Sequence, residues 1–397
     1  EAMQSCERAR DIWAARVEAD PDDQEARMQL AKTYSATGVL QRDHGDLTAA
    51  ISDFRQSRQL LEPLLKSQPD QPQYQSALAS SLDRIAVTLH EMGESDRAAE
   101  MHQQAIDIQE SLVALAGPEL EAHRDDLGNS YHNLGLVHSA GSRLEEAASC
   151  FEKAVNVRQE LLDDFPNRPR YKQRLASSYS QHSSVLDGLG ETDRSQTLQE
   201  KAIDLLTELV RDNPAVPKYR AKLADKQVAL SNLLARRGLI SEALARYQSA
   251  IAVMETQVRN QPGVPTYQHY LALGHFNFGN LLLKVGKVDD AVSTFQRSVS
   301  LLADLTANYS DKLTYHSHQA VAMMNLAAAL EDAGQAEEAI ATFRDVIQRL
   351  ESLAAQHPES PELKQYLSGA LINLANTLKE TDPEEAVNMQ SRANRTL

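Results

Sequence analysis

The chain has 397 residues and a formal net charge of −16, from 40 Lys plus Arg against 56 Asp plus Glu. Its 16 Gly, 14 Pro and 5% aromatics beside 42% hydrophobic residues are a helix-forming vocabulary, which excludes β-sandwiches, barrels and global disorder. Two cysteines, Cys6 and Cys150, exclude a disulfide-stapled scaffold or a Cys-rich zinc module, and the acidity argues against a nucleic-acid partner.

The chain opens on Glu1-Ala2-Met3-Gln4, with no initiating Met, basic n-region or apolar h-region. Glu1 is therefore expected to be a boundary within a longer protein. Residues 1–20 read as one helix, because Ala2, Cys6 and Ala9 precede Ala50, Phe54 and Ser57 by 48 residues. It is expected to be the second half of a helix pair whose first helix is missing. From residue 21 the chain repeats. Leu30-Ala31 returns as Leu78-Ala79, Leu127-Gly128, Leu175-Ala176, Leu223-Ala224, Leu271-Ala272, Gln319-Ala320 and Leu367-Ser368, at spacings of 48 or 49. Nine residues before these positions stand Pro21, Pro69, Pro118, Pro166, Pro214, Pro262 and Pro358, with Ser310 as the exception. Eight residues after them stand Gly38, Ala86, Gly135, Ser183, Ser231, Gly279, Ala327 and Ala375, all small. The repeats are 21–68, 69–117, 118–165, 166–213, 214–261, 262–309, 310–357 and a short 358–397.

Each repeat reads as two helices. The first begins near a Pro-x-x-Pro-x-Tyr stretch such as Pro262 to Tyr267, whose second proline suits a helix N1 position. Apolar residues then recur at helical spacing, as in Tyr267, Leu271, Phe278 and Leu282. A left-handed glycine is expected to close it at Gly45, Gly93, Gly190, Gly238, Gly286 and Gly334, with Ser142 in that slot in the third repeat. The second helix carries a stripe such as Ala291, Phe295, Ser298, Leu301 and Leu305. In the last repeat Asp382-Pro383 replaces the glycine turn before a shorter helix. The spacing predicts eight pairs plus the opening helix, each helix about 20 residues or ~30 Å long.

The spacing of His275 to Gly286 followed by Ala291, Phe295 and Ser298 resembles the tetratricopeptide repeat. Ala86, Gly93, Ala98, His102 and Ala105 fit the same pattern, as do Tyr131, Leu134, Gly135, Ala147, Phe151 and Ala154. So do Ala327, Gly334, Ala339, Phe343 and Val346. The resemblance implies an all-α, right-handed superhelical solenoid of eight helix hairpins plus one N-terminal orphan helix. The family period is about 34 residues, and here it is 48. The extra residues all fall between the last alanine of one repeat and the small residue of the next. They lengthen the end of each second helix and the start of the following first helix. Arrays of this long period resemble those attached to bacterial, planctomycete-like serine/threonine kinases.

No Gly-x-Gly-x-x-Gly or Gly-x4-Gly-Lys-Ser/Thr loop is present in the sequence. His123-Arg124-Asp125 imitates a kinase triplet, but His123 takes the slot of Tyr171 and Tyr219 inside a first helix and reads as structural. His316 and His318 are two apart and point to different helix faces. No catalytic activity, cofactor or metal is expected. The most apolar stretch, Ala320 to Leu330, is too short to cross a bilayer. A cytoplasmic location is expected, or a periplasmic one if the array is attached to a membrane-spanning receptor.

The resemblance implies a protein or peptide partner on an inner wall lined by first helices, at offsets −6, −3, +1 and +4 from the small residue. The fourth repeat offers Ser177, Ser180, Ser184 and Asp187 there, wholly polar. The later repeats offer the candidate groove: Leu273, Phe276, Asn280 and Leu283, then Val321 and Met324, then Ile372 and Asn376. Two readings stand. These residues grip a bound segment, or they pack as core in a tighter superhelix. A basic clamp for a carboxylate terminus is disfavoured, because the last four repeats place only Lys379 at these offsets. The function expected is an interaction scaffold, and the alternative is a regulatory or sensing region of a larger serine/threonine kinase.

Overall fold

The computed structural model describes residues 2–115, 117 and 119–396; Glu1 and Pro118, used above, lie outside the described residues. Every regular element among the described residues is an α-helix. The helices are α1 (Ala2–Ala19), α2 (Gln24–Asp43), α3 (Leu47–Ser67), α4 (Pro72–Glu91), α5 (Ser95–Ala114) and α6 (Leu120–Ala140). They continue as α7 (Leu144–Asp164), α8 (Pro169–Gly188), α9 (Thr192–Asp212), α10 (Pro217–Arg236), α11 (Ile240–Asn260) and α12 (Pro265–Lys284). The last are α13 (Val288–Asn308), α14 (Leu313–Asp332), α15 (Ala336–Gln356), α16 (Pro361–Leu378) and α17 (Pro383–Thr396). The chain forms two compact units, Glu1–Leu205 and Leu206–Leu397, divided within α9. In each, short turns reverse the chain so that consecutive helices pack as antiparallel hairpins.

The helix boundaries follow local chemistry. Proline stands at the start of α4, α8, α10, α12 and α16, where its missing N–H costs no hydrogen bond. Gly45, Gly93, Gly190, Gly238, Gly286 and Gly334 all have φ between 76° and 86°, the left-handed turn expected of them. In the α6–α7 turn the left-handed residue is Ser142, at φ 57°. A side chain there costs about 1 kcal/mol. Ser142→Gly should therefore raise the urea midpoint of this hairpin, and an unchanged or lower midpoint would disprove the strain argument.

Three of the hairpins close on a glycine facing a phenylalanine ring. A Cβ at Gly38 would stand 2.6 Å from Phe54, and at Gly135 2.8 Å from Phe151. At these two positions a Cβ would overlap the ring, whereas α14–α15 carries Ala327 and Phe343 at the same register, both buried in one cluster. In α4–α5 the ring slot holds a smaller ring, His102, and Ala86 suffices opposite it. His102 is fully buried, with its Nδ1 2.8 Å from Asp83 Oδ1. Asp83 also accepts hydrogen bonds from Gln109 Nε2 at 2.9 Å and Ser130 Oγ at 2.5 Å. One carboxylate thus satisfies donors on α5 and α6, as a polar group in a packed interface requires. The expected second-helix stripe is buried throughout: Ala291, Phe295, Ser298, Leu301 and Leu305 on α13.

Candidate partner-binding surface

In the second compact unit the first helices of successive pairs also touch one another: α10 meets α12, α12 meets α14 and α14 meets α16. They form a continuous wall. The hairpin stripes of these helices are turned inward, with Leu271, Phe278 and Leu282 of α12 buried. The eight groove candidates lie on another face. Leu273, Phe276, Asn280 and Leu283 of α12 are half-buried, as are Val321 and Met324 of α14 and Ile372 of α16, while Asn376 is exposed. None is fully buried. Phe276 rests its ring at a tilt against Phe295, with centroids 6.0 Å apart. Met324 and Ile372 pack against one apolar cluster that includes Phe343, Leu367 and Leu371. No hydrogen bond joins Asn280 or Asn376 to the other candidates.

A cavity of about 670 Å³ opens on the same wall, between α10, α11 and α12. Val228, Met254, Tyr267 and Leu273 supply apolar walls, and Lys218, Lys222, Asp225, Asn277 and Tyr270 supply polar edges. Leu273 is the one groove candidate it contains. Tyr270 remains 45% exposed although large and largely apolar. Desolvation, then the like charges of Lys226 and Lys218, hold the Lys222 ammonium below the usual lysine range, against the pull of Asp225. Lys218, Lys222 and Tyr270 lie outside the offsets considered in the sequence, which begin six residues before the small position. They belong to the lengthened start of the first helices. The 48-residue period had located that extension, so its side chains were the signal available.

His318 finds a partner one repeat back, not at His316. His269 Nε2 lies 2.6 Å from His318 Nδ1, with the rings stacked at 4.9 Å, and Tyr315 meets His269 edge-on. Burial, then His318, pushes His269 down to about 4, and His318 is lowered by burial as well. At neutral pH one uncharged ring donates to the other. In the first compact unit, a cavity of about 930 Å³ on α2 and α4 is edged instead by Lys32, Ser35, Gln73, Ser80 and Arg84. Among the described residues no three His, Cys, Asp or Glu side chains gather as a metal site, and no helix is long and apolar enough to cross a membrane.

The tetratricopeptide repeat family models match residues 84–160 and 319–359. Those two segments match the tetratricopeptide repeat. The matched segments lie on α4 to α7 and on α14 and α15, where the small-residue and ring pattern was read. No curated protein matches the chain. Among solved structures it is similar to BtubC (BKLC) from P. vanneervenii, with a TM-score of 0.50 and 19% identity over 64% of this chain and 90% of that one. It is also similar to PH0952 from Pyrococcus horikoshii, a signal transduction ATPase with a tetratricopeptide repeat sensor, with a TM-score of 0.51 and 12% identity. That match covers 92% of this chain and 52% of the other, so this chain spans about half of PH0952. At such identities the likeness shows the fold alone: an all-α stack of repeats.

Proposed function

We propose that this chain is a non-catalytic scaffold that holds a protein or peptide partner in a groove on the wall of α10, α12, α14 and α16. Support comes from one observation above all: Leu273, Phe276, Leu283, Val321, Met324 and Ile372 are apolar, lie on contiguous first helices, and are only half-buried. The fully buried part of each hairpin core is supplied by Leu271, Phe278 and their equivalents, with Phe276, Met324 and Ile372 packed at its margin. An apolar strip left open to water is the surface that a partner segment covers, and Asn280 and Asn376 are placed to bond its backbone.

A segment selected from a displayed peptide library tests this. Phe276→Ala combined with Met324→Ala should weaken the selected segment by about 10-fold or more, as removal of buried anchors does. The melting temperature should stay nearly constant. A large fall in melting temperature with unchanged binding would assign both side chains to the core. A second reading, the regulatory or sensing region of a larger serine/threonine kinase, rests on the 48-residue spacing. A full-length protein without a kinase domain would end it.

A further inference from the structure

On a chain of net charge −16, helix α10 runs the other way. It carries Lys218, Arg220, Lys222, Lys226 and Arg236 against the single carboxylate of Asp225, and α12 adds Lys284 with no acid. Lys218, Lys222 and Lys226 succeed one another at four-residue spacing and so share one helix face, where like charges repel. One repeat earlier the same register is neutralised within the protein. Arg170 and Arg174, 48 residues before Lys218 and Lys222, both pair with Asp125, Arg170 Nη2 at 2.7 Å from its Oδ2. Lys226 is held by Asp225 at 2.8 Å. Lys218 has only the ring of Tyr219 beneath it, at 5.5 Å, and Lys222 is flanked by cations. Neither makes an ion pair among the described residues.

These two ammonium groups edge the cavity whose walls are Val228, Met254, Tyr267 and Leu273, and its one carboxylate, Asp225, is paired with Lys226. We propose that the cavity binds an acidic peptide segment of the partner, with one apolar side chain seated against Met254, Tyr267 and Leu273 and its flanking carboxylates on Lys218 and Lys222. This rests on the scaffold reading and specifies the chemistry of the partner. The apolar wall selects a peptide over a bare anion, which would leave that wall wet. The acidity of the whole chain selects a short segment over a long polyanion, which would be repelled once it left the local cations. Asn277 at the same edge offers both a donor and an acceptor to a peptide backbone.

Fluorescence anisotropy on the whole chain tests the assignment with three labelled peptides. One alternates glutamate and leucine, the second replaces glutamate by glutamine, and the third is polyglutamate. The glutamate–leucine peptide should bind about 10-fold more tightly than the glutamine one, and added salt should erode the difference. Lys218→Gln with Lys222→Gln should abolish the preference, while Lys218→Arg with Lys222→Arg should keep it. Both lysines are exposed, so the variants should melt with the parent. Equal binding of the first two peptides, or a preference that survives in the glutamine variant, overturns the charge assignment and leaves the scaffold reading standing. Polyglutamate binding as tightly as the glutamate–leucine peptide overturns the apolar seat. If no peptide binds, the cavity is not a segment site, whereas library selection decides the scaffold reading separately.

Discussion

Gly279→Leu should lower the stability of the α12–α13 hairpin by about 3 kcal/mol, at the upper end of what overpacking costs. The reason is geometric. A bare Cβ at Gly279 would stand 2.8 Å from Phe295 Cε1 and 2.9 Å from Cδ1 and Cζ, closer than carbon atoms approach. Phe295 is 0% exposed, so its ring has no open space to retreat into. Even alanine demands a shift of the ring, and leucine adds three more carbons. The clash also predicts its own remedy. Phe295→Leu shortens the facing side chain, so Gly279→Ala should cost less in that background than alone. The difference is a coupling energy that a double-mutant cycle measures. Because each pair in a stack of repeats contacts only its neighbours, increased hydrogen exchange should stay within α10 to α14. Uniform loosening of residues 206–397, or no loosening, would refute the close-packing argument.

The same reasoning explains how much of the molecule was legible beforehand. Where a ring is present it stands sixteen residues after the small residue: Gly38 with Phe54, Ala86 with His102, Gly135 with Phe151, Ser231 with Tyr247, Gly279 with Phe295 and Ala327 with Phe343. Turn position is equally local. Ser142 adopts the left-handed conformation although a glycine, Gly141, stands beside it, because the register and not the residue type decides where the helix must end. What escaped were contacts between repeats. His269 and His318 are 49 residues apart, and Arg174 and Asp125 are also 49 apart. Each pair becomes neighbours only when successive repeats are laid side by side. The cavity escaped for another reason: offsets taken from a shorter repeat stop before Lys218, Lys222 and Tyr270. The half-buried state of Phe276 and Met324 was beyond periodicity altogether. An apolar residue at a given helix angle suits a groove or a core, and the separation of neighbouring pairs decides between them.

Acid should weaken the second compact unit. His275 on α12 is 8% exposed, and its Nε2 is buried without a hydrogen-bond partner. Burial, then the charge of Arg297, pushes its pKa down to about 4. His269 is pushed to about 4 and His318 is lowered, both in the same unit. An unfolded histidine titrates near 6.5. As pH falls from 6.5 towards 4, the unfolded chain takes up protons that the folded chain refuses, so stability that is complete above 6.5 drains away across this window. For His275 the loss by pH 4.5 is about 2–3 kcal/mol. In residues 1–205, His132 is lowered to about 3 by burial and then Arg158, and His138 and His182 are lowered chiefly by burial, so all three act in the same sense. There, however, Asp126 is raised to about 6 by desolvation and its neighbours Asp125 and Asp83, and protonating it favours the fold as pH falls. Its side chain is open to water, which weakens this opposition without reversing its direction. His275→Gln removes the titrating ring. Its urea midpoint should differ less between pH 7 and pH 4.5 than the parent's does, whatever its stability at pH 7. An undiminished difference, or an NMR titration placing His275 near 6.5 in the folded chain, would show that burial does not hold this ring neutral.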